Sequence, residues 1–233
     1  MTPSNPPPLI CIGHRGAAGH EPENTLRSVR RALALGVQGS EIDVRLVDSE
    51  LIVLHDATLQ RTTSGRGAAA RKTFAQLRAL DAGAGQRIPT LREIFETVER
   101  RAFINVELKG RGTAAPVESL IGEFVEQRGW AHADFLVSSF SRSELRSVKD
   151  PRIPIGLLLT RPTRLYALSA RRVRAGVVSP ALRFVSRRFV EDAHRRGLRV
   201  FVHTVNEPQD VERMREFGVD GVFTDFPERV SRV

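Results

Sequence analysis

Short, almost continuously apolar runs alternate with helix-patterned segments about eight times along this chain, and no other feature narrows its fold so far. The runs fall at residues 10–13, 40–47 with 51–54, 102–109, 134–140, 155–159, 176–181, 198–205 and 220–224. Helical patterning is predicted at 26–35, 74–80, 91–101, 113–128, 141–149, 163–172, 186–196 and 208–216. Asn24 or Thr25 and Ser141 are placed to cap two of these helices, and Gly36 and Gly197 to stop two. Strands that are apolar throughout are buried on both faces, the condition of a parallel sheet covered by its own crossover helices. Eight such units in 233 residues predict an α/β fold, a single (β/α)8 TIM barrel. The competing architecture is an open doubly wound sheet. It is disfavoured because GHRGAAG, after the first run, lacks the glycine spacing of a dinucleotide fingerprint. Residues 1–8 are expected to form a flexible, proline-rich leader and 9–233 the barrel, with a small insertion after the second strand at about 57–90.

The stretch SEIDVRLVDSELIVLHD, residues 40–56, reads as two short strands joined by a polar turn at Asp48-Ser49-Glu50. The two-residue period of a strand puts Glu41 and Asp43 on one face and Ile42 and Val44 on the other. Two carboxylates side by side suit a cation between them; the plainer alternative is a half-exposed strand with solvated acids. In a barrel of this kind, catalytic groups gather at the C-terminal ends of the strands. The unusual polar residues fall there repeatedly: His14 and Arg15, Glu41 and Asp43, His55, Glu107 and Lys109, Ser138 and Ser139, His203 to Asn206, and Thr224 with Asp225. Taken singly, His14 also reads as a core histidine and Glu107–Lys109 as a solvated pair. Taken together they read as a site, because buried charge is costly without a partner or a metal. Glu41, Asp43 and Glu107, with no cysteine nearby, form a hard-oxygen donor set suited to Mg²⁺ or Ca²⁺. Two histidines, Arg15 and Lys109 beside such a cation suit a phosphate ester. The positive groups would neutralise phosphoryl oxygens, and a histidine would protonate the leaving oxygen.

Composition excludes several alternatives. Hydrophobic content of 41% and charged content of 27% are those of an ordinary globular chain. No apolar run approaches the roughly 20 residues of a membrane span, so no stable membrane insertion is expected. The N-terminal MTPSNPPPLICIG lacks the pattern of a secretory signal, and a cytoplasmic location is expected. Cys11, the single cysteine, cannot form an internal disulfide and is expected to be a small buried hydrophobe. The net charge of +9 comes from 36 basic residues of which only three are lysines, a compositional bias more than a nucleic-acid signal. The arginines are scattered, no aromatic-interleaved basic stripe or zinc-finger spacing occurs, and no nucleic-acid partner is expected. A positive field would still attract anionic substrates or membrane surfaces.

The segments GHRGAAGHEPENT, EIDVRLVDSELIVLHD, TLQRTTSGRG, IPTLREIF, VELK, HTVNEP and GVDGVFTDFPERV, from Ile12 to Val230, resemble the glycerophosphodiester phosphodiesterases. The resemblance implies a (β/α)8 barrel and metal-dependent hydrolysis of a small-molecule glycerophosphodiester to glycerol 3-phosphate and an alcohol. It implies that His14 and His55 are the catalytic acid/base pair, that Glu41, Asp43 and Glu107 are metal ligands, and that Arg15 and Lys109 bind phosphate. It also makes residues 57–90 the insertion that covers the site and shapes the glycerol end of the pocket. A lysophospholipase D-type action on lysophospholipid head groups would keep the same site with another substrate. A non-catalytic anionic-lipid binder is the non-enzymatic alternative. Three departures bear on substrate preference. The stretch 81–88 is shorter than usual and has no aromatic residue, which predicts a more open wall. His203 stands where a tryptophan often precedes the Thr-Val-Asn triplet, and Ser49 where a glycine is common.

Overall fold

Eight parallel strands close into a barrel in the computed structural model, which describes residues 8–161 and 163–230. The expected leader lies outside those residues apart from Pro8. The order is β1 (Ile10–Gly13), α1 (Leu26–Ala34), β2 (Gly39–Val47), β3 (Glu50–Val53), α2 (Phe74–Arg78), α3 (Leu91–Val98), β4 (Phe103–Leu108) and α4 (Ala114–Arg128). It continues with β5 (Phe135–Ser139), α5 (Arg142–Ser147), β6 (Ile155–Leu159), α6 (Tyr166–Arg172), β7 (Val177–Pro180), α7 (Arg187–Arg195), β8 (Arg199–Val202), α8 (Pro208–Phe217) and β9 (Gly221–Thr224). Neighbouring strands pair in the order β1-β9-β8-β7-β6-β5-β4-β2, and β1 pairs with β2 to close the ring. Among the strands of the described residues only β3 is antiparallel, folded back on β2 through Asp48 and Ser49. Both turn residues have left-handed backbone (φ 52° and 65°), the twist that a two-residue hairpin needs.

Residues between the barrel and its helices form the main core. Ile42, Val44, Ile104, Val106 and Val137 of the strands meet Val29, Leu91, Phe95, Val117 and Ile121 of the helices. Phe95, Trp130 and Phe135 pack ring on ring, with Phe95–Phe135 and Trp130–Phe135 centroids 4.9 Å apart. Aromatic pairs at that spacing stabilise by about 0.5–1.5 kcal/mol beyond their burial. A second cluster, Ile12, Leu136, Val177, Phe201 and Phe223, fills the barrel itself. The third belongs to the insertion: Leu59, Ala69, Leu77, Ala82 and Ile88 pack on Val47, Ile52 and Leu54, so this excursion has a small core of its own. Cys11 is buried, as expected.

Elements agree with the expected pattern in kind and order and differ at their ends. The helix expected over 91–101 stops at Val98, because Glu99 and Arg100 turn left-handed (φ 50° and 62°). The helix expected from 163 begins at Tyr166. Thr25 and Ser141 do cap their helices, accepting from the backbone N–H of Ser28 and Glu144.

Candidate active site

Strand register assembles the carboxylates. Glu41 and Asp43 face the same way on β2, and Asp43 lies directly opposite Glu107 on β4. Parallel neighbours sit about 4.8 Å apart, so the three acids converge without any loop to position them. One oxygen from each of Glu41, Asp43 and Glu107 lies within 4.8 Å of the others. Glu41 and Asp43 are 3% and 1% exposed, and Glu41 Oε1 and Asp43 Oδ1 have no hydrogen-bond partner among the described residues. Asn105 Oδ1, opposite Glu41 and two residues before Glu107 on β4, is also buried and unpartnered among the described residues. Buried acceptor oxygens without a hydrogen-bond partner, on acids this close together, form a group that could hold a metal ion.

Arg15 and Lys109 supply the local positive charge. The turn after β1 holds Arg15 in left-handed backbone (φ 54°) next to Gly16 (φ 82°), where a Cβ would strike Ser28. Backbone strain of this kind persists only where surrounding contacts over-determine it. Here the result is useful: the Arg15 backbone N–H donates to Glu41 Oε2 at 2.9 Å, and its Nη1 donates to Glu23 Oε1 at 2.7 Å. Arg15 Nε lies 3.2 Å from Asp43 Oδ2 but is not aimed for a hydrogen bond, so that contact acts through charge. Lys109 Nζ donates to Glu107 Oε1 at 2.7 Å and sits 3.4 Å from Asp43 Oδ1.

The electrostatics divide the acids. Burial and the neighbouring Asp43 and Glu107 charges push the Glu41 carboxyl well above the usual range. Burial and Asp43 push Glu107 up as well. Burial also acts to raise Asp43, but the charges of Lys109 and Arg15 outweigh it and hold this carboxyl below its ordinary value. Asp43 is thus the permanent anion of the trio.

Both histidines line the same cavity of about 180 Å³, with Arg15, Glu41, Asn105, Glu107 and Lys109 and an apolar side of Phe140, Leu158 and Phe223. His14 Nδ1 pairs with Asp225 Oδ1 at 2.7 Å, and His55 Nδ1 with Asp56 Oδ1 at 2.6 Å. A carboxylate on Nδ1 fixes the tautomer and leaves Nε2 to exchange a proton. Burial lowers His55 below its ordinary value, against the opposing pull of Asp43 and Asp56.

His14, Arg15, Glu41, Asp43, His55, Glu107 and Lys109 are therefore brought to one mouth, just beyond β1, along β2, at the end of β4 and just beyond β3, and His203 beyond β8 lines the same cavity. Sequence reasoning missed the pairings that hold them. Asn24, expected only as a helix cap, donates from Nδ2 to Asp43 Oδ2 (2.8 Å) and accepts the Asp43 N–H (3.1 Å). Asn206 donates to Asp225 Oδ2 at 2.6 Å and accepts its backbone N–H at 2.9 Å. Arg45 donates to the carbonyls of His55 (2.6 Å) and Lys109 (3.3 Å), tying two loops together. Arg61, in the insertion, joins Asp56 to both oxygens of Glu23. The motif segments contain all four of these residues, but spacing alone gives no pairing for side chains so far apart in sequence.

The departures also find places. His203 stands in the cavity wall, its ring 5.9 Å from Phe140 and 6.5 Å from Phe223. Burial, then the His14 and Lys109 charges, press it down to about 4, so the ring is neutral. The segment 81–88 is a tight turn in which Asp81 Oδ1 accepts from the N–H groups of Gly83 and Gly85, and none of its residues lines the cavity.

Fold and site together define a class: a barrel whose mouth gathers three carboxylates that could hold a metal ion and two cationic side chains. The family model of the glycerophosphoryl diester phosphodiesterase family matches residues 14–229. A glycerophosphodiester phosphodiesterase of Caldanaerobacter subterraneus is 36% identical, over 94% of this chain and 95% of that one. Among solved structures, an Oleispira antarctica phosphodiesterase in complex with the product sn-glycerol-3-phosphate superposes with a TM-score of 0.87 at 29% identity, covering 95% and 94% of the two chains. A glycerophosphodiester phosphodiesterase of Thermotoga maritima gives 0.77 at 26% identity, covering 94% and 96%. The chain belongs to the glycerophosphoryl diester phosphodiesterase family, and it is a phosphodiesterase.

Proposed function

We propose that this chain hydrolyses glycerophosphodiesters to glycerol 3-phosphate and an alcohol, with a divalent cation, Mg²⁺ or Ca²⁺, held by Glu41, Asp43 and Glu107. The observation that carries the reading is the convergence of these three carboxylates, two of them with unpartnered buried oxygens, on a cavity that both histidines also line. The family membership and the product bound to the Oleispira relative support the choice of substrate. The donor set fits the ion, since hard oxygens without sulfur or histidine select such cations.

When bound, the cation would neutralise phosphoryl charge and act as a Lewis acid toward phosphorus. The protein's own groups do the rest. Arg15 and Lys109 flank the phosphate and favour the extra negative charge that develops on its oxygens. His14 and His55 are poised for proton traffic, each with its Nδ1 on a carboxylate: one takes a proton as the new bond to phosphorus forms, and the other protonates the departing alcohol. In the net reaction a water oxygen bonds to phosphorus, and the bond from phosphorus to the head-group oxygen breaks.

Release of glycerol 3-phosphate from glycerophosphocholine, with lysophosphatidylcholine as the parallel substrate, tests the proposal. Glycerol 3-phosphate is expected from the first, with His14→Ala and His55→Ala each lowering kcat by about 10²–10⁴-fold. Turnover of lysophosphatidylcholine alone would move the assignment to the lysophospholipase D-type reaction. Near-normal turnover in both histidine variants would refute the acid/base roles.

A further inference from the structure

The catalytic rim is electrically one-sided. Four consecutive turns, at residues 110–113, 140–143, 160–161 with 163–165, and 181–186, carry Arg111, Arg142, Arg161, Arg164 and Arg183 and no aspartate or glutamate. They follow β4, β5, β6 and β7, which are neighbours in the barrel, so these turns form one continuous arc of the C-terminal face. All five arginines are exposed. Among the described residues none of them makes an ion pair, whereas Arg92, Arg152 and Arg213 on other faces pair with Glu123, Asp150 and Asp210. The first carboxylate beyond these turns, Glu144, is buried and turned inward, accepting from the N–H groups of Gly112, Thr113 and Ala114. Two of the three large apolar side chains exposed among the described residues stand on this arc. Leu165 is 64% exposed beside Arg164, and Phe140 is 45% exposed at the mouth of the catalytic cavity.

We propose that this arc docks the enzyme, mouth first, on an anionic lipid bilayer surface. Unpaired arginines are drawn to an anionic leaflet, and an exposed leucine and phenylalanine between them can enter the headgroup boundary. A nucleic acid would satisfy the arginines but offers no apolar partner to Leu165, which is 64% exposed. The bilayer is therefore the better chemical match. Docking is peripheral; no helix of the described residues is long and apolar enough to cross a membrane. The inference stands on the rim alone and not on the substrate proposed above, so either can fail without the other.

The test is co-sedimentation of the full chain with phosphatidylglycerol–phosphatidylcholine vesicles and with pure phosphatidylcholine vesicles, at low and high salt. The wild-type chain should bind only the anionic vesicles, less so in salt. Arg161→Glu/Arg164→Glu should weaken binding about tenfold or more. The charge-matched control Arg30→Glu/Arg31→Glu, on the exposed side of α1, should weaken it far less. Leu165→Ser should lower vesicle binding yet leave binding of a labelled single-stranded oligonucleotide unchanged. Thermal unfolding confirms that each variant is folded. No binding by the wild-type chain, or equal losses in the rim and control variants, would overturn the proposal. So would tight oligonucleotide binding that depends on Arg161 and Arg164 while vesicles are ignored.

Discussion

Glu41 shows in one side chain what the site asks of the fold. It is buried, it faces Asp43 and Glu107, and its carboxyl is pushed well up by burial and those charges. A carboxyl whose folded-state value lies above its unfolded one stabilises the fold below the unfolded value, and that contribution is lost as pH rises through the folded value. In chelator the raised Glu41 and Glu107 carboxyls therefore oppose folding toward neutral pH, while Asp43, held low, does not. Glu41→Gln is expected to raise the unfolding midpoint of the chelated protein near neutral pH, and to raise it less in mild acid. Unfolding midpoints at the two pH values check this, and an unchanged or lower midpoint at neutral pH would contradict it. Activity should be lost in the same variant, the usual exchange between a strained site and a stable one. Asn24 is the complementary case, a neutral residue that fixes the Asp43 carboxylate from two sides. Asn24→Ala should lower turnover or metal affinity about 10–100-fold, as loss of a ligand's outer partner does. Calorimetric titration with Mg²⁺ and Ca²⁺ reads the affinity directly. At this scale the sequence was informative about the charged groups, because period-two spacing at strand ends is a local property. It gave no partners for Asn24, Asn206 and Arg45, whose roles depend on contacts between segments 19 to 64 residues apart.

At the scale of elements, the insertion and the first two strand-end turns form one mechanical unit. His55 bonds Asp56, Asp56 accepts from Arg61 at 2.6 Å, Arg61 grips Glu23 at 2.7 and 2.8 Å, and Glu23 accepts from Arg15. Arg61 is the only member that comes from the insertion, so it couples that segment to both sides of the cavity. Its hydrogen bond is the largest influence holding Asp56 below the usual carboxylate range, and Asp56 in turn orients His55. Arg61→Ala should therefore lower kcat about tenfold and raise KM, since it loosens His55 and Arg15 together. Arg61→Lys should recover only part of this, because an ammonium cannot hold Asp56 and both Glu23 oxygens in one plane. Wild-type kinetics in Arg61→Ala would show that the chain of ion pairs is ornamental. Element boundaries were the least legible feature. The left-handed Glu99 and Arg100 that end α3 carry no glycine or asparagine to announce them, and the late start of α6 has no capping side chain.

For the whole molecule, eightfold alternation was enough to predict a closed barrel, because apolar strands that need cover on both faces leave few other arrangements. Closure itself, the pairing of β1 with both β2 and β9, is a long-range fact that no local pattern contains. The same closure places Asp225 and Asn206, from the far end of the chain, behind His14. The arginine arc was legible only as a charge total, since scattered residues 111 to 183 become one surface after the barrel forms.

The central claim is that the trio on β2 and β4 holds the cation on which hydrolysis depends. The measurement that bears on it most directly is glycerol 3-phosphate release from glycerophosphocholine after chelation, followed by stepwise return of Mg²⁺ or Ca²⁺, for the wild-type chain and Glu107→Gln. Activity that disappears with chelator, returns with one of the ions, and in Glu107→Gln returns only at much higher ion concentration is the predicted result. Full activity in chelator, or identical ion dependence in the two proteins, would contradict it.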